Sequence, residues 1–86
     1  MEIHGLEEFV GKTVSFGLST DSYAITDVEI KVIAKKVFLS GKVPKGATTN
    51  DAGKGKVCGV SWDSVTDYLL FESEDDYVKW MNESIE

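Results

Sequence analysis

The 86-residue chain, 42% apolar and 28% charged with its aromatics spread along its length, has the composition of one small globular domain and not of a disordered segment. Its single cysteine, Cys58, and single histidine, His4, exclude an internal disulfide framework and a Cys/His zinc site. The net charge is −6, yet seven of the nine lysines lie between Lys31 and Lys56 with Asp51 as the one acid there, so that stretch carries +6 and the remainder −12.

Leu6, Phe9 and Val10 fall at i, i+3 and i+4 before Gly11, which predicts a short opening helix over residues 4–10. Thr13 to Ser19 alternates apolar with small or polar residues, the period of a strand with one buried face, and Thr20-Asp21-Ser22 supplies turn chemistry. From Thr26, Val28, Ile30, Val32 and Ala34 alternate with Asp27, Glu29 and Lys31, and β-branched content favours a strand. The phase inverts from Val37, where Val37, Leu39 and Val43 share a face. No Gly or Pro lies near the inversion, so a bulge, a sharp bend or a tight turn is expected around Ala34 to Lys36.

Residues 43–56 hold the only Pro, three of the eight Gly and four lysines counted with the flanking Lys42, and read as a basic, flexible loop. Val57 to Trp62 and Tyr68 to Glu72 then read as a hairpin across Asp63-Ser64-Val65-Thr66. Ser73 with Asp76 three residues on forms a capping pattern. Acids crowd the first turn, and Tyr77, Trp80, Met81 and Ile85 make the apolar stripe of a final helix.

Few of these residues carry chemistry. Gly53-Lys54 lacks the earlier Gly and the following Ser or Thr of a Walker A loop, because Thr48 and Gly55 stand at those places. Lys42, Lys45, Lys54 and Lys56 form a basic arm suited to an acidic surface or, weakly and with steep salt dependence, to a phosphate backbone. Arginine is absent, which argues against a sequence-specific DNA reader. The carboxylates Glu72, Glu74, Asp75 and Asp76 complement a helix dipole, each by about 0.3–1 kcal/mol. Trp62 and Trp80 are expected in the core, Cys58 buried and inert, and His4 without a catalytic partner set. Asp63 and Asp67 flank a turn with no sign of a pocket, so no enzyme, cofactor or metal is expected. With no apolar run of about 18 residues and no signal-like start in MEIHGLEEF, a cytoplasmic protein without a membrane span is expected.

Thr13-Val14, Ser19-Thr20-Asp21-Ser22 with Ile25-Thr26 and Ile30, and Tyr68 with Glu72-Ser73-Glu74 resemble the strand, turn and acidic-helix segments of a small phage anti-CRISPR family that inhibits type II CRISPR nucleases. The resemblance implies carboxylates standing in for phosphates in a nuclease's DNA cleft, a role that would fall to Asp21, Glu72, Glu74 and Asp75. Where those inhibitors carry acids between strands, this chain has Lys35, Lys36 and the lysine loop. The likeness thus implies the class, a small mobile-element protein that binds a larger machine, more than a particular target.

The expected fold is a single α+β domain spanning residues 1–86. It comprises a short N-terminal helix, an antiparallel sheet of three to five strands, open or curled into a small barrel, and a C-terminal helix packed on the sheet. The expected function is a non-enzymatic protein-binding module, most concretely a phage or mobile-element inhibitor of a host defence or nucleic-acid-processing protein. The alternatives are a nucleic-acid-associated module using the loop lysines and an assembly component of a larger particle.

Overall fold

Alternation of apolar and polar residues produces five strands in the computed structural model, which describes residues 5–47 and 52–84. They are β1 (Thr13–Gly17), β2 (Ser22–Ile33), β3 (Lys36–Lys42), β4 (Val57–Ser61) and β5 (Asp67–Phe71), followed by α1 (Glu74–Ser84). The architecture is α+β, with one antiparallel sheet in the order β4-β3-β2-β1-β5. Among the described residues no ladder joins β4 to β5, so the sheet is open and the barrel alternative is not realised.

The twelve-residue β2 is the pivot: Ser22 to Ile25 pair with β1, whereas Thr26 to Ile33 pair with β3. Between the two halves Thr26 faces Lys42 and Glu29 faces Ser40, leaving Asp27 and Val28 opposite the single residue Gly41. Asp27 takes φ 54°, a left-handed conformation that Asp tolerates better than most residues. Val28 turns back to the β1 side, donating to the Lys12 carbonyl at 3.2 Å and accepting from Gly11 N–H at 2.9 Å. Such a bulge sharpens the twist, so the sheet folds into two halves that share β2. Gly41 is required here: a Cβ would lie 2.4 Å from the Thr26 carbonyl oxygen and 2.6 Å from Ile25 Cγ2.

Between the halves, Val14, Phe16 and Ile25 from one side and Val37, Leu39 and Val60 from the other join one buried cluster with Leu6, Phe9 and Val28. Burial of each such side chain stabilises the fold by about 1.5–3 kcal/mol. Phe9 is the plug, its ring 5.6 Å from Phe16, 4.8 Å from Tyr68 and 5.9 Å from Trp62. A hydrogen bond of 2.6 Å joins the buried Thr13 and Thr26 hydroxyls where β1 and β2 continue toward the bulge.

Three expectations are corrected, and the alternatives left open at the phase inversion are decided in favour of the tight turn. The opening helix is a 3-10 turn, Leu6–Phe9. Gly5 at φ 91° supplies no capping side chain and Val10 is already extended, so only the i, i+3 pair Leu6 and Phe9 reaches the core. The phase inversion is a two-residue turn, Ala34-Lys35, both residues left-handed at φ 51° and 68°, and the bulge lies earlier, at Asp27. β4 and β5 are not a hairpin. A 3-10 turn over Trp62–Ser64, then Thr66 N–H donating to the Gly17 carbonyl at 2.8 Å, carries the chain across to β1, and β5 pairs there.

The helix is the third correction. Ser73 Oγ accepts from Asp76 N–H at 3.2 Å, the expected cap, but α1 seats on the end of β5 through Phe71, whose ring lies 5.4 Å from both Tyr77 and Trp80. Tyr77 is buried and Trp80 is 40% exposed, so the helix covers one end of the sheet and not a whole face. Ile85, expected in its stripe, lies outside the described residues.

Candidate interaction surfaces

The lysine loop grows from the β3–β4 ladder. Val43 N–H donates to the Lys56 carbonyl and Gly55 N–H to the Val43 carbonyl, each at 2.9 Å, so the ladder continues past both strand ends. Pro44 is fully buried, and Lys45 N–H donates to the Glu74 carboxylate at 2.7 Å. The described root of the loop is thus tied to the first turn of α1. Lys42, Lys45, Lys54 and Lys56 are all exposed, whereas Thr48 to Asp51 lie outside the described residues.

The acids expected to act divide between two places. Glu72 extends into solvent and pairs with Lys12 Nζ, Glu74 is half-buried against the loop root, and Asp75 is exposed on the same first turn. Asp21 sits on the β1–β2 turn, where Leu18 N–H donates to its carbonyl and Ser22 N–H to its carboxylate, each at 2.8 Å. The pairing of Gly17 with Ser22 and Asp67 at one end, and of Thr13 with Phe71 at the other, places Asp21 far from Glu72 along the strands. Asp21 instead meets the loop: with Ser22, Tyr23, Ala24, Val43 and Ala47 it lines an open depression of about 310 Å³. The root of the basic arm, Val43 to Ala47, is therefore approached by two acids of its own chain, Glu74 and Asp21.

A second open depression, about 280 Å³, lies on the outer face of β2 and β3 with Asp27, Glu29, Lys31, Lys42 and Val57 around Ser40 and Gly41. Its two acids and two lysines select neither sign of ligand. Ser40 is buried in its floor and donates to the Cys58 carbonyl at 2.9 Å.

One surface carried no signal that alternation could read. In β5, Tyr68, Leu69 and Leu70 are 43%, 50% and 39% exposed, with Trp80 nearby on α1 beside Phe71. Leu69 lies on the outer face because it pairs with Ser15, whose neighbours Val14 and Phe16 point into the core. The run Asp67-Tyr68-Leu69-Leu70-Phe71 has no Lys, Pro or Gly, the residues that ordinarily guard a free sheet edge. Acids close it at both ends, Asp67 and Glu72, and Tyr68 Oη donates to Glu8 at 3.3 Å.

Chemically reactive groups are few. Burial raises the Cys58 thiol above its ordinary value, against a hydrogen bond with Tyr23 that lowers it. Burial raises the Tyr23 phenol too, assisted by Cys58. The thiol is only half-buried, less than expected, but stays protonated at neutral pH and is a poor nucleophile. Trp62 is half-buried against Phe9, on the 3-10 turn and not on a strand. His4 lies outside the described residues, among which no group of three or more His, Cys, Asp or Glu could hold a metal. No described helix is long and apolar enough to cross a membrane.

No protein-family model, curated protein or solved structure matches the chain.

Proposed function

We propose that the chain is a non-enzymatic protein-binding module whose partner docks on the exposed strip of β5 and α1. The observation that carries this reading is Leu69 open to solvent on the same face as half-buried Phe71, beside which Trp80 is also exposed, with the acids Asp67, Glu72, Asp75 and Asp76 at the ends of β5 and on the first turn of α1. An apolar centre with a charged rim is the anatomy of a docking surface, and this rim favours a basic partner. An inhibitor of a nucleic-acid-processing protein is the most concrete form, with Glu72, Glu74 and Asp75 in the place of phosphates and Asp21 acting separately at the other end of the strands.

The test is capture of a basic protein from nuclease-treated host extract at low salt, compared with Leu69→Asp and with Glu72→Lys/Asp75→Lys. Both variants should lose the captured protein. Recovery of nucleic acid alone would overturn the reading. The rival, nucleic-acid association through the loop, is read by duplex DNA binding of the wild type and of Lys42, Lys45, Lys54 and Lys56 changed together to Gln. Binding is expected to be weak and lost at physiological salt, and tight binding above it, abolished in the quadruple variant, would favour the rival.

A further inference from the structure

The sheet has two free edges, and they are complementary. β4 begins at a basic end, Lys54 and Lys56, and exposes Val57, at 76% the most open large apolar side chain among the described residues. β5 ends at an acidic one, Glu72, Glu74 and Asp75. We infer that β4 of one copy pairs antiparallel with β5 of a second copy, continuing the sheet from chain to chain.

The register follows from charge and from alternation. Placing Lys56 opposite Glu72 sets Val57 against Phe71, Gly59 against Leu69 and Val60 against Tyr68. Val57, Gly59, Leu69 and Phe71 all point to the outer face, because Cys58 and Val60 pack inward and Leu69 and Phe71 pair with Ser15 and Thr13. In-phase pairing keeps each copy's core face on one side, which a slip of one residue would destroy. Gly59 leaves room for Leu69, and Lys54 projects toward the acids of the α1 first turn.

Pairing of β5 with its own copy is disfavoured by the same residues. In the in-phase register centred on Leu69, it would set Asp67 opposite Phe71 and Glu72 opposite Thr66, so that Asp67 and Glu72 of the two copies gather side by side at each end with no lysine of either strand to meet them. Contact between unlike edges is head-to-tail, closing into a ring or continuing as an open chain. A protein partner of the kind proposed above would compete with the second copy for β5.

The experiment is sedimentation equilibrium of the purified chain at low salt from about 1 µM to about 1 mM, the range in which small polar-rimmed contacts form. Average mass should rise with concentration and fall back to that of one chain at high salt. Lys54→Glu/Lys56→Glu and Glu72→Lys/Asp75→Lys, each folded by circular dichroism, should each remain monomeric, and mixing them should restore association because every interface is again plus against minus. Leu69→Lys, which guards the β5 edge without touching the core, should be monomeric by itself and should shorten the assemblies of the wild type when mixed with it, because its β4 still pairs with a wild-type β5. A wild type that stays monomeric to the top concentration overturns the proposal. So does a mixture of the charge variants that fails to associate, or a Glu72→Lys/Asp75→Lys variant that associates more strongly by itself.

Discussion

Ala34 and Lys35 join β2 to β3 with φ 51° and 68°, although neither residue favours the left-handed region. The Ile33–Lys36 pair closes a two-residue loop of the kind that requires positive φ at both central positions, where Asn-Gly is the preferred sequence. Left-handed backbone costs an L-residue about 1–2 kcal/mol, and glycine returns about 0.5–1 kcal/mol of that as lost chain entropy. Both side chains are exposed, so replacing them sacrifices no packing. Ala34→Asn with Lys35→Gly should therefore raise stability by about 1–2 kcal/mol, and the melting temperature by about 4–8 °C for each kcal/mol in a domain this small. Urea titration and a thermal melt of the double variant read the gain. Unchanged or lower stability would refute the reasoning, because it would mean that the turn is not left-handed at both positions.

Gly41→Ala should cost about 3 kcal/mol, since its Cβ would meet the Thr26 carbonyl at 2.4 Å, and the bulge backbone cannot yield. Gly17→Ala should cost much less: its Cβ would meet only the Asp67 carboxylate, and Gly17→Ala with Asp67→Ala in denaturant melts should recover most of the loss. Ser73→Ala removes the cap on Asp76 N–H and should cost about 1 kcal/mol, visible as lost helical ellipticity before global unfolding. Burial raises Cys58 above 9.0 and Tyr23 and Tyr77 above 10.0. The unfolded chain therefore releases these protons first, and their contribution is complete below about pH 9 and lost progressively above it. Urea midpoints should fall from about pH 9 upward, and Cys58→Ala should flatten the first part of that decline.

The strands were legible in the sequence because alternation is local: Val14 and Phe16, Val28 and Ile30, Val37 and Leu39 announce their own buried face. The cap at Ser73 was legible for the same reason, its partner being three residues away. The turn at Ala34-Lys35 left only a phase inversion, since its backbone conformation is imposed by the pairing of the strands it joins and not by its own residues. The continuous apolar run of β5 fitted a hairpin with β4 equally well, and only the partner strand decided otherwise: β1 offered the pairing surface, and the 3-10 turn over Trp62–Ser64 delivered β5 to it.

The site divides along the same line. Composition by itself separated a basic loop from acidic flanks, because charge is a property of residues wherever they lie. Tertiary structure alone tied Lys45 to Glu74, set Asp21 beside Ala47, and left Leu69 and Leu70 on an unguarded edge. Contact and exposure depend on which elements meet across long stretches of chain. A period of two residues fixes which side of a strand is apolar, but the order of strands in the sheet fixes which of them stays open to a partner.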